Sequence, residues 1–249
     1  MNKLFFTSLL LCGFSQAAVL EEMQDQTYPI APNATISVRN TDGTLFVYGW
    51  DNSALRVIAR KRAYTKARLD GIAIKVKAEG ETASIETIFP VAPKGLSAAD
   101  RSGTVDYVIL VPERSTLSRV ELATGEIIVQ GLRGPKVNAR LTNGRLAARN
   151  CFSEVHLTVA NGSMSVFFDW WEATRTAVMA EIGHGHIWAL LPASAGLHVD
   201  AVSGDGQITN GFAREGERRS PSLQTIIGNG EAELKLRAGS GNIEIQKID

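Results

Sequence analysis

Two histidines form the most metal-like group in the sequence. His184 and His186 lie two positions apart, and side chains at that spacing on a strand project to the same side. Imidazole is a common zinc ligand, but a site needs at least a third ligand, for which Glu181, His198 or Asp205 are the candidates. No His-x-x-x-His or Cys-x-x-Cys spacing occurs. We therefore expect polar side chains at a turn, with a metal site as the alternative, and predict no cofactor.

Aromatic residues gather around a Trp-Trp pair. Trp170 and Trp171 follow Phe167 and Phe168, and Trp188 comes shortly after. Neighbouring residues on a strand face opposite ways, so one tryptophan is expected in the core and the other in solvent. An exposed tryptophan can stack on a sugar or anchor a protein contact, whereas the alternative is a hydrophobic cap over one side of the fold. We predict Trp170 and Trp171 as binding residues.

Three acidic residues are the candidates for hydrolytic chemistry. Asp200, Asp205 and Glu181 would approach one another if neighbouring strands stacked about 4.8 Å apart, and glycosidases need two carboxyl groups about 5 to 9.5 Å apart. Stacked strands produce such distances by chance, so we expect solvated surface acids. Cys151 has no His or Asp partner at a recognisable spacing, and no P-loop, nucleophile elbow or dinucleotide fingerprint occurs. We predict no catalytic residue and no enzyme.

The N-terminus has the pattern of an export signal. Lys3 precedes an apolar run at 4–14, and a small-residue cleavage site ends at Ala17. The run is too short for a membrane-spanning helix, which takes roughly 20 residues, and Cys12 lacks the small preceding residue of a lipidation signal. We predict that residues 1–17 are a signal peptide, that the mature chain has no membrane span, and that it is located in the periplasm or on the cell surface of a bacterium.

The charge balance argues against a nucleic-acid partner. The chain has 26 basic and 26 acidic residues, and nothing in it forms the long basic stripe that phosphate backbones require. The densest basic run, at 56–68, is expected to be the solvated face of a strand and turn, with a patch for an anionic partner as the alternative. After removal of the signal peptide one cysteine remains, so no intrachain disulfide can form and a continuous core must provide the stability.

Short strands separated by glycine turns must position these side chains. From Gly125 to Gly230 successive turns are 18 to 24 residues apart, which is typical of a repeat architecture, and a last turn at Gly241 follows after 11 residues. Apolar residues alternate on both sides of most turns, as in strands with one buried face. The glycines of the successive turns are Gly43, Gly125, Gly144, Gly162, Gly185, Gly206, Gly230 and Gly241.

The period favours an all-β fold built as a parallel β-helix, or β-solenoid, with about 20 residues per coil. The repeats occupy 110–249 and follow a less regular β-region at 18–109, and we expect the two to form one continuous domain. Asn-Gly between alternating strands, at Asn143 and Asn161, is also the strongest short-range hairpin signal. An antiparallel meander, sandwich or propeller is therefore the alternative topology.

Two kinds of segment interrupt the strands. Residues 66–71 are expected to form one short helical turn. Loops are expected at 90–103 and at 214–222, because both segments contain proline and few apolar residues.

The order of the motifs resembles a known family. An export signal is followed by a strand–Gly–strand opening with Tyr48-Gly49-Trp50-Asp51, a Val111-Pro112 junction, repeats of the Asn-Gly-x-Leu type and a closing segment at 239–245. In this order they resemble the bacterial putative-adhesin family of exported domains of unknown function, over roughly residues 30–249. The resemblance implies a β-solenoid with no established catalytic activity, and it supplies no functional residues.

Three functions follow from these features. The first is a non-catalytic exported protein with an adhesin-like binding or cell-envelope role, whose partner is an unknown protein or an envelope glycan. The second is a β-helix protein that binds or degrades polysaccharide. The third is a structural scaffold without a ligand.

Overall fold

The computed structural model describes residues 18–91, 102–213 and 219–248, and this part of the chain is nearly all β-structure. The predicted signal peptide lies outside the described residues, as do parts of both predicted loops. The elements are β1 (Leu20–Pro29), β2 (Thr35–Trp50), β3 (Ala54–Ala63), α1 (Lys66–Gly71), β4 (Ala73–Glu79), β5 (Thr82–Ile88), β6 (Thr104–Pro112), β7 (Thr116–Gln130), β8 (Lys136–Arg149), β9 (Glu154–Phe167), β10 (Ala177–Pro192), β11 (Leu197–Asp205), β12 (Ile208–Asn210), β13 (Arg219–Ser220), β14 (Ser222–Ile227), β15 (Ala232–Ser240) and β16 (Ile243–Ile248).

The long strands β2, β7, β8, β9 and β10 lie side by side, and each pairs in parallel with the next. Each passes through its glycine turn without a break. In β8 the buried positions change from odd to even numbers at that turn, which in a straight strand would put them on opposite faces. The strand therefore bends at the glycine, so that both halves bury their apolar side chains in one core. The buried residues of β8 are Val137, Ala139, Leu141, Leu146 and Ala148.

The two halves of the long strands continue into different neighbours. The N-terminal halves are extended by β5 and β4 on one side and by β15, β11 and β14 on the other. The C-terminal halves are extended by β6, β3 and β1 on one side and by β16, β12 and β13 on the other. The long strands thus join two layers whose inner faces share a single hydrophobic core.

The sheet is mixed, so the predicted all-β class is confirmed and the predicted parallel β-helix is not. Antiparallel pairs occur on both sides of the parallel centre, between β1 and β3, β3 and β6, β4 and β5, β11 and β14, and β12 and β13. The β4–β5 connection shows why the strands do not all run parallel. Gly80 adopts a φ of 55° there and lets the chain reverse tightly, which interrupts any uniform parallel winding.

The antiparallel alternative fails in the centre of the sheet. Asn143 and Asn161, which carry the hairpin signal, lie opposite each other on the parallel strands β8 and β9. The Asn161 amide Nδ2 donates to Asn143 Oδ1 at 3.1 Å. Each Asn-Gly pair therefore forms a bend within a strand, and the two asparagine side chains bond to each other across the strands.

The glycines at the bends form a column that runs across the strands. At Gly144 the φ angle is 133°, which side chains rarely tolerate. A Cβ at that position would lie 1.9 Å from the carbonyl oxygen of Gly125, and one at Gly162 would lie 1.9 Å from that of Gly144. The column needs glycine for both conformation and space. Its members are Gly43, Gly125, Gly144, Gly162, Gly185 and Gly241.

The short helix predicted at 66–71 is confirmed as α1. Thr65 caps it, because its Oγ1 accepts a hydrogen bond from the backbone N–H of Arg68 at 3.3 Å. The buried Arg68 guanidinium donates to the carbonyl oxygens of Ser102 at 2.9 Å and Pro90 at 2.8 Å. These two hydrogen bonds therefore tie the helix to the backbone at Pro90 and Ser102.

Candidate binding surface

Strand register arranges the solvent-facing side chains into rows across the long strands. On the N-terminal halves the central row is charged, and Arg39 pairs with Glu86 at 3.0 Å and with Glu121 at 3.6 Å. A row of paired charged side chains is typical of a sheet face that is exposed to solvent. We call this surface the charged face, and its row consists of Arg39, Glu121, Arg140, Thr158, Glu181 and Arg237.

The C-terminal halves present a different outer surface, which we call the aromatic face. Its first row is apolar at most positions and ends at a glutamate, and its second row contains both apolar and polar side chains. A contiguous apolar surface that is not buried in the core is typical of an interaction site. The first row is Phe46, Ile128, Ala147, Ser165, Trp188 and Glu244, and the second is Tyr48, Gln130, Arg149, Phe167, Leu190 and Gln246.

A depression with a volume of about 770 Å³ lies in the aromatic face. Ala147 and Ser165 have the smallest side chains of the first row, so they form its floor. Larger side chains of neighbouring strands, Trp188 and Phe167 among them, form the walls. The Arg149 guanidinium carbon lies 4.8 Å from the centroid of the Phe167 ring, which is a cation–π distance. The depression thus combines flat apolar walls with a cationic group.

The Trp-Trp pair lies in the connection between β9 and β10, not on a strand as the sequence suggested. Trp170 is 46% exposed, while Trp171 is partly buried and packs against the core. Trp170 Nε1 donates to Glu172 Oε1 at 2.8 Å, and Glu172 accepts from Arg133 Nη2 at 2.6 Å. One tryptophan is therefore available to a partner, and the binding role of both stays a prediction.

The ring of Phe152 packs close to both Trp170 and Trp171 and holds them together. The centroid of its ring is 5.2 Å from that of Phe168, 6.1 Å from that of Trp170 and 6.3 Å from that of Trp171. The Arg133 guanidinium carbon lies 5.7 Å from the centroid on another side. We call these side chains, with Glu172, the corner cluster; it joins connections that are distant in sequence.

An ion pair lies between the aromatic face and the corner cluster. Arg149 Nε and Nη2 donate to the two carboxylate oxygens of Asp169, each at 2.7 Å. Asn150 Nδ2 donates to the same carboxylate at 2.6 Å. Chiefly the Arg149 hydrogen bonds hold the pKa of Asp169 below its usual value of 3.8.

This ion pair makes a small pH-dependent contribution to stability. Because the folded-state pKa of Asp169 is lowered, the contribution is complete above about pH 4 and is lost as the pH falls through the folded-state value. We expect Asp169→Asn to lower the free energy of unfolding by about 0.5 to 1 kcal/mol at pH 7. Urea titrations at pH 7 and pH 2.5 should show the difference from the wild type disappearing at the lower pH. A difference that is equal at both pH values would contradict this role of the carboxylate.

Among the residues that the structure describes, the histidine pair gains no further metal ligand. His184 and His186 lie on either side of the bend in β10, and His186 Nδ1 accepts a hydrogen bond from the backbone N–H of Asn242 at 3.3 Å. Within the described residues, no three His, Cys, Asp or Glu side chains are placed to hold a metal ion. The metal interpretation of this pair therefore has no structural support here.

Two of the three acidic residues, Asp200 and Glu181, lie beside the same arginine. Asp200 accepts from Arg237 Nη2 at 2.5 Å, and Glu181 lies opposite Arg237 in the register of β10 and β15. The Arg237 hydrogen bond holds the pKa of Asp200 below its usual value. A general acid at neutral pH needs a raised pKa, so Asp200 is not suited to protonating a leaving group.

Cys151 is 1% exposed, and burial raises the pKa of its thiol to about 11. Its Sγ lies 3.4 Å from the carbonyl oxygen of Arg149. A buried neutral thiol is a poor nucleophile. In a protein that begins at residue 18, we expect a thiol reagent at pH 8 to label Cys151 at least about a hundredfold more slowly than in the urea-unfolded chain. Fast labelling of the folded protein would show that the thiol is accessible, and a Cys151→Ala variant gives the background.

Sequence reasoning missed the aromatic face as a site, although it noted Phe167 and Trp188. The sequence nevertheless contains a pattern that indicates this face. In most strands apolar residues alternate, but the runs at 45–48 and 187–191 are apolar at every position. Such runs indicate strands with two apolar faces, and here the second face is the one that lines the depression.

Comparison with solved structures finds several chains with similarity to this one. A putative cell adhesion protein from Clostridium sporogenes has a TM-score of 0.51 and 17% identity, covering 91% of this chain and all of its own. A putative adhesin from Bacteroides fragilis has a TM-score of 0.32 and 12% identity, covering 90% of this chain and 97% of its own. A putative lipid binding protein from Parabacteroides distasonis has a TM-score of 0.25 and 13% identity, covering 91% and 97%.

The likeness to the Clostridium protein shows a shared fold over almost the whole of both chains. No model of a protein family matches the sequence, and no curated protein matches it either. Within residues 18–91, 102–213 and 219–248, no helix is long and apolar enough to cross a membrane.

Proposed function

We propose that this chain is an exported, non-catalytic binding protein with an adhesin-like role at the bacterial cell envelope, and that it binds its partner through the aromatic face. The observation that carries the proposal is the contrast between the two outer faces of the same strands. The central row of outer positions is mostly charged on the N-terminal halves, whereas the first row of the aromatic face, on the C-terminal halves, is mostly apolar. Exposure to water alone does not explain the apolar row on the C-terminal halves.

A non-catalytic role fits the chemistry of the candidate residues. Asp200 has a lowered pKa, Cys151 is buried as a neutral thiol, and the histidines have no further metal ligands among the described residues. The depression in the aromatic face is lined by arginines, amides and hydroxyls in addition to its apolar walls. These groups recognise a partner, and they do not form a nucleophile–base pair. The adhesion protein with the similar fold supports the same kind of role.

Trp170 is proposed as a second contact with the partner. Its exposed ring is held in place by the hydrogen bond to Glu172 and by the corner cluster. Fixing the ring before binding reduces the entropy lost on association. Trp171, which packs against the core, contributes by supporting this arrangement.

The experiment that tests the proposal is binding of the purified protein to isolated bacterial envelopes. Wild type should bind saturably. Ser165→Tyr places a ring on the floor of the depression and should weaken binding at least about tenfold, since it fills the space that the partner enters.

The matched control is Thr158→Tyr. Thr158 faces outward on the same strand, but on the charged face. It should bind like the wild type. Equal binding by both variants would overturn the proposal that the aromatic face is the site, and absence of saturable binding by the wild type would overturn the envelope role.

A further inference from the structure

Strand β14 lies at an edge of the sheet and has one open side. It pairs with β11 and with no other strand that the structure describes. The Ser203 N–H donates to the Pro221 carbonyl oxygen at 2.9 Å, so the odd-numbered residues of β14 direct their backbone groups towards β11. The N–H and C=O groups of Gln224 and Ile226 therefore point to the open side, where a further strand can bond to them.

The open edge of β14 carries no charged side chain. Exposed edge strands usually carry charged residues, which discourage pairing with another chain. The edge strands β1 and β4 follow this rule, since β1 contains three acidic residues and β4 contains two lysines and a glutamate. Residues 220–230 contain no charged residue, and Ile226 is 65% exposed. Of these three edges, β14 is the one suited to pairing with another strand.

A groove with a volume of about 740 Å³ runs along β14. Residues of the opposite layer complete its lining, among them Phe212, which follows β12, and none of the described lining residues is charged. Phe212 and Leu223 pack against the hydrophobic core but are only partly buried. The core is therefore incompletely covered beside β14, and an added strand with apolar side chains would cover it.

The sequence of β14 is complementary to itself in an antiparallel pair. When Thr225 lies opposite Thr225 of a second copy, Gln224 lies opposite the second copy's Ile226. The backbone groups on both open sides then meet as hydrogen-bonded pairs. Leu223 lies opposite the second copy's Ile227, and both are at inner positions beside the groove. Thr–Thr pairs and buried apolar contacts between strands both stabilise such an arrangement.

Other ways of pairing two copies satisfy the edge less well. Pairing of β14 with β1 or β4 of a second copy would place charged side chains beside an uncharged strand. It would also leave further edges open, so that copies would add without closing. A shift of the antiparallel register by one residue would place inner side chains opposite outer ones. The symmetric β14 pair avoids all three problems.

We infer that two copies of this chain form a two-fold dimer, in which their β14 strands pair antiparallel and join the two sheets. The inference goes beyond the proposed function and does not depend on it. Because the two-fold axis is perpendicular to the sheet at the paired strands, the aromatic faces of both copies lie on the same side of the dimer. A surface that presents repeated binding sites is then bound through two sites at once, which raises the apparent affinity.

Sedimentation equilibrium of the protein that begins at residue 18 tests the inference. We expect a reversible monomer–dimer equilibrium with a dissociation constant of about 10 to 100 µM, since one short strand pair makes a small interface. Gln224→Pro should weaken the dimer at least about tenfold, because proline has no N–H to donate and is tolerated on an open edge. Circular dichroism shows whether this variant is folded.

Two double variants that share one substitution test the register of the dimer. Gln224 lies opposite Asp200 of β11, so a lysine at this position has a carboxylate nearby in its own chain. Gln224→Lys with Ile226→Lys should weaken the dimer at least about tenfold, because only like charges meet across the paired strands. Gln224→Lys with Ile226→Glu is the matched control. It should keep the dissociation constant within about threefold of wild type, because each new glutamate lies opposite a new lysine of the second copy.

Other results would overturn the inference. A protein that stays monomeric up to about 500 µM would contradict the dimer, because the expected association is nearly complete there. A dimer that the two lysines do not weaken would lie elsewhere on the molecule, and its loss through Trp188→Thr would place it on the aromatic face. Equal loss in both double variants would contradict the antiparallel register. These measurements involve no envelope, so a failure of the proposed function would leave the dimer standing.

Discussion

Gly144→Ala should lower the free energy of unfolding by about 3 to 5 kcal/mol, among the largest effects of any single substitution in this chain. Two penalties combine. The φ of 133° is unfavourable for alanine, which costs about 1 to 3 kcal/mol. The methyl group would also lie 1.9 Å from the Gly125 carbonyl oxygen, and backbone at the centre of five bonded strands cannot move away without breaking hydrogen bonds on both sides. Urea denaturation followed by circular dichroism measures the loss.

Gly80→Ala separates the two penalties. Gly80 also has a positive φ, but nothing lies within 4 Å of the place where its Cβ would be. We expect this change to cost about 1 to 2 kcal/mol, which is the conformational penalty alone. If Gly144→Ala costs no more than Gly80→Ala, close approach of the strands is not what requires glycine in the column.

Phe152→Ala should lower the free energy of unfolding by about 3 to 5 kcal/mol. The ring is 5% exposed and touches three aromatic rings and the Arg133 guanidinium. Removing it leaves a cavity beneath Trp170 and Trp171, and the rigid frame around that cavity limits its collapse. Since Trp170 loses one of its supports, its side chain should also become more mobile, which fluorescence anisotropy of the tryptophans would detect.

Phe152→Leu is the control, because leucine fills part of the space without an aromatic ring. It should cost about half as much as Phe152→Ala. A cost below about 1.5 kcal/mol for Phe152→Ala would mean that the corner cluster packs loosely at the surface and is not part of the hydrophobic core.

The strands were predictable because each buries one face. In β8, the spacing of Val137, Ala139 and Leu141 follows from the two-residue period of a strand, and the glycine turns, the helix α1 and the exposure of one of the two tryptophans were predicted as well. For the path of the chain through the turns, the period favoured parallel strands and the Asn-Gly pairs favoured a hairpin, so the sequence left both open. A type I′ hairpin needs a positive φ at both turn residues, and in β8 Gly144 has one while Asn143 does not. Parallel neighbours on both sides of the strand, which no local pattern reveals, decide this.

The aromatic face was harder to predict than the strands, because it depends on which residues become neighbours. Tyr48, Phe167 and Trp188 lie on three different strands, and the register of the parallel strands places them on one face. That register is fixed by the glycine column. At each glycine the buried positions change from odd to even numbers or the reverse, so the positions that point outward change as well. If the alternation of buried and exposed positions is continued through a glycine without this change, half of each long strand is assigned to the wrong face.

The glycine column also determines where the chain can change in length. Successive members from Gly125 to Gly185 are 19, 18 and 23 residues apart, yet they stay aligned. The longest interval contains its additional residues in the connection at 168–176, where Trp170 and Trp171 lie. Insertions at these outer corners therefore leave the strand pairing intact, so the corners are the places where an engineered epitope, a fluorophore tag or a new recognition loop can be added to this protein.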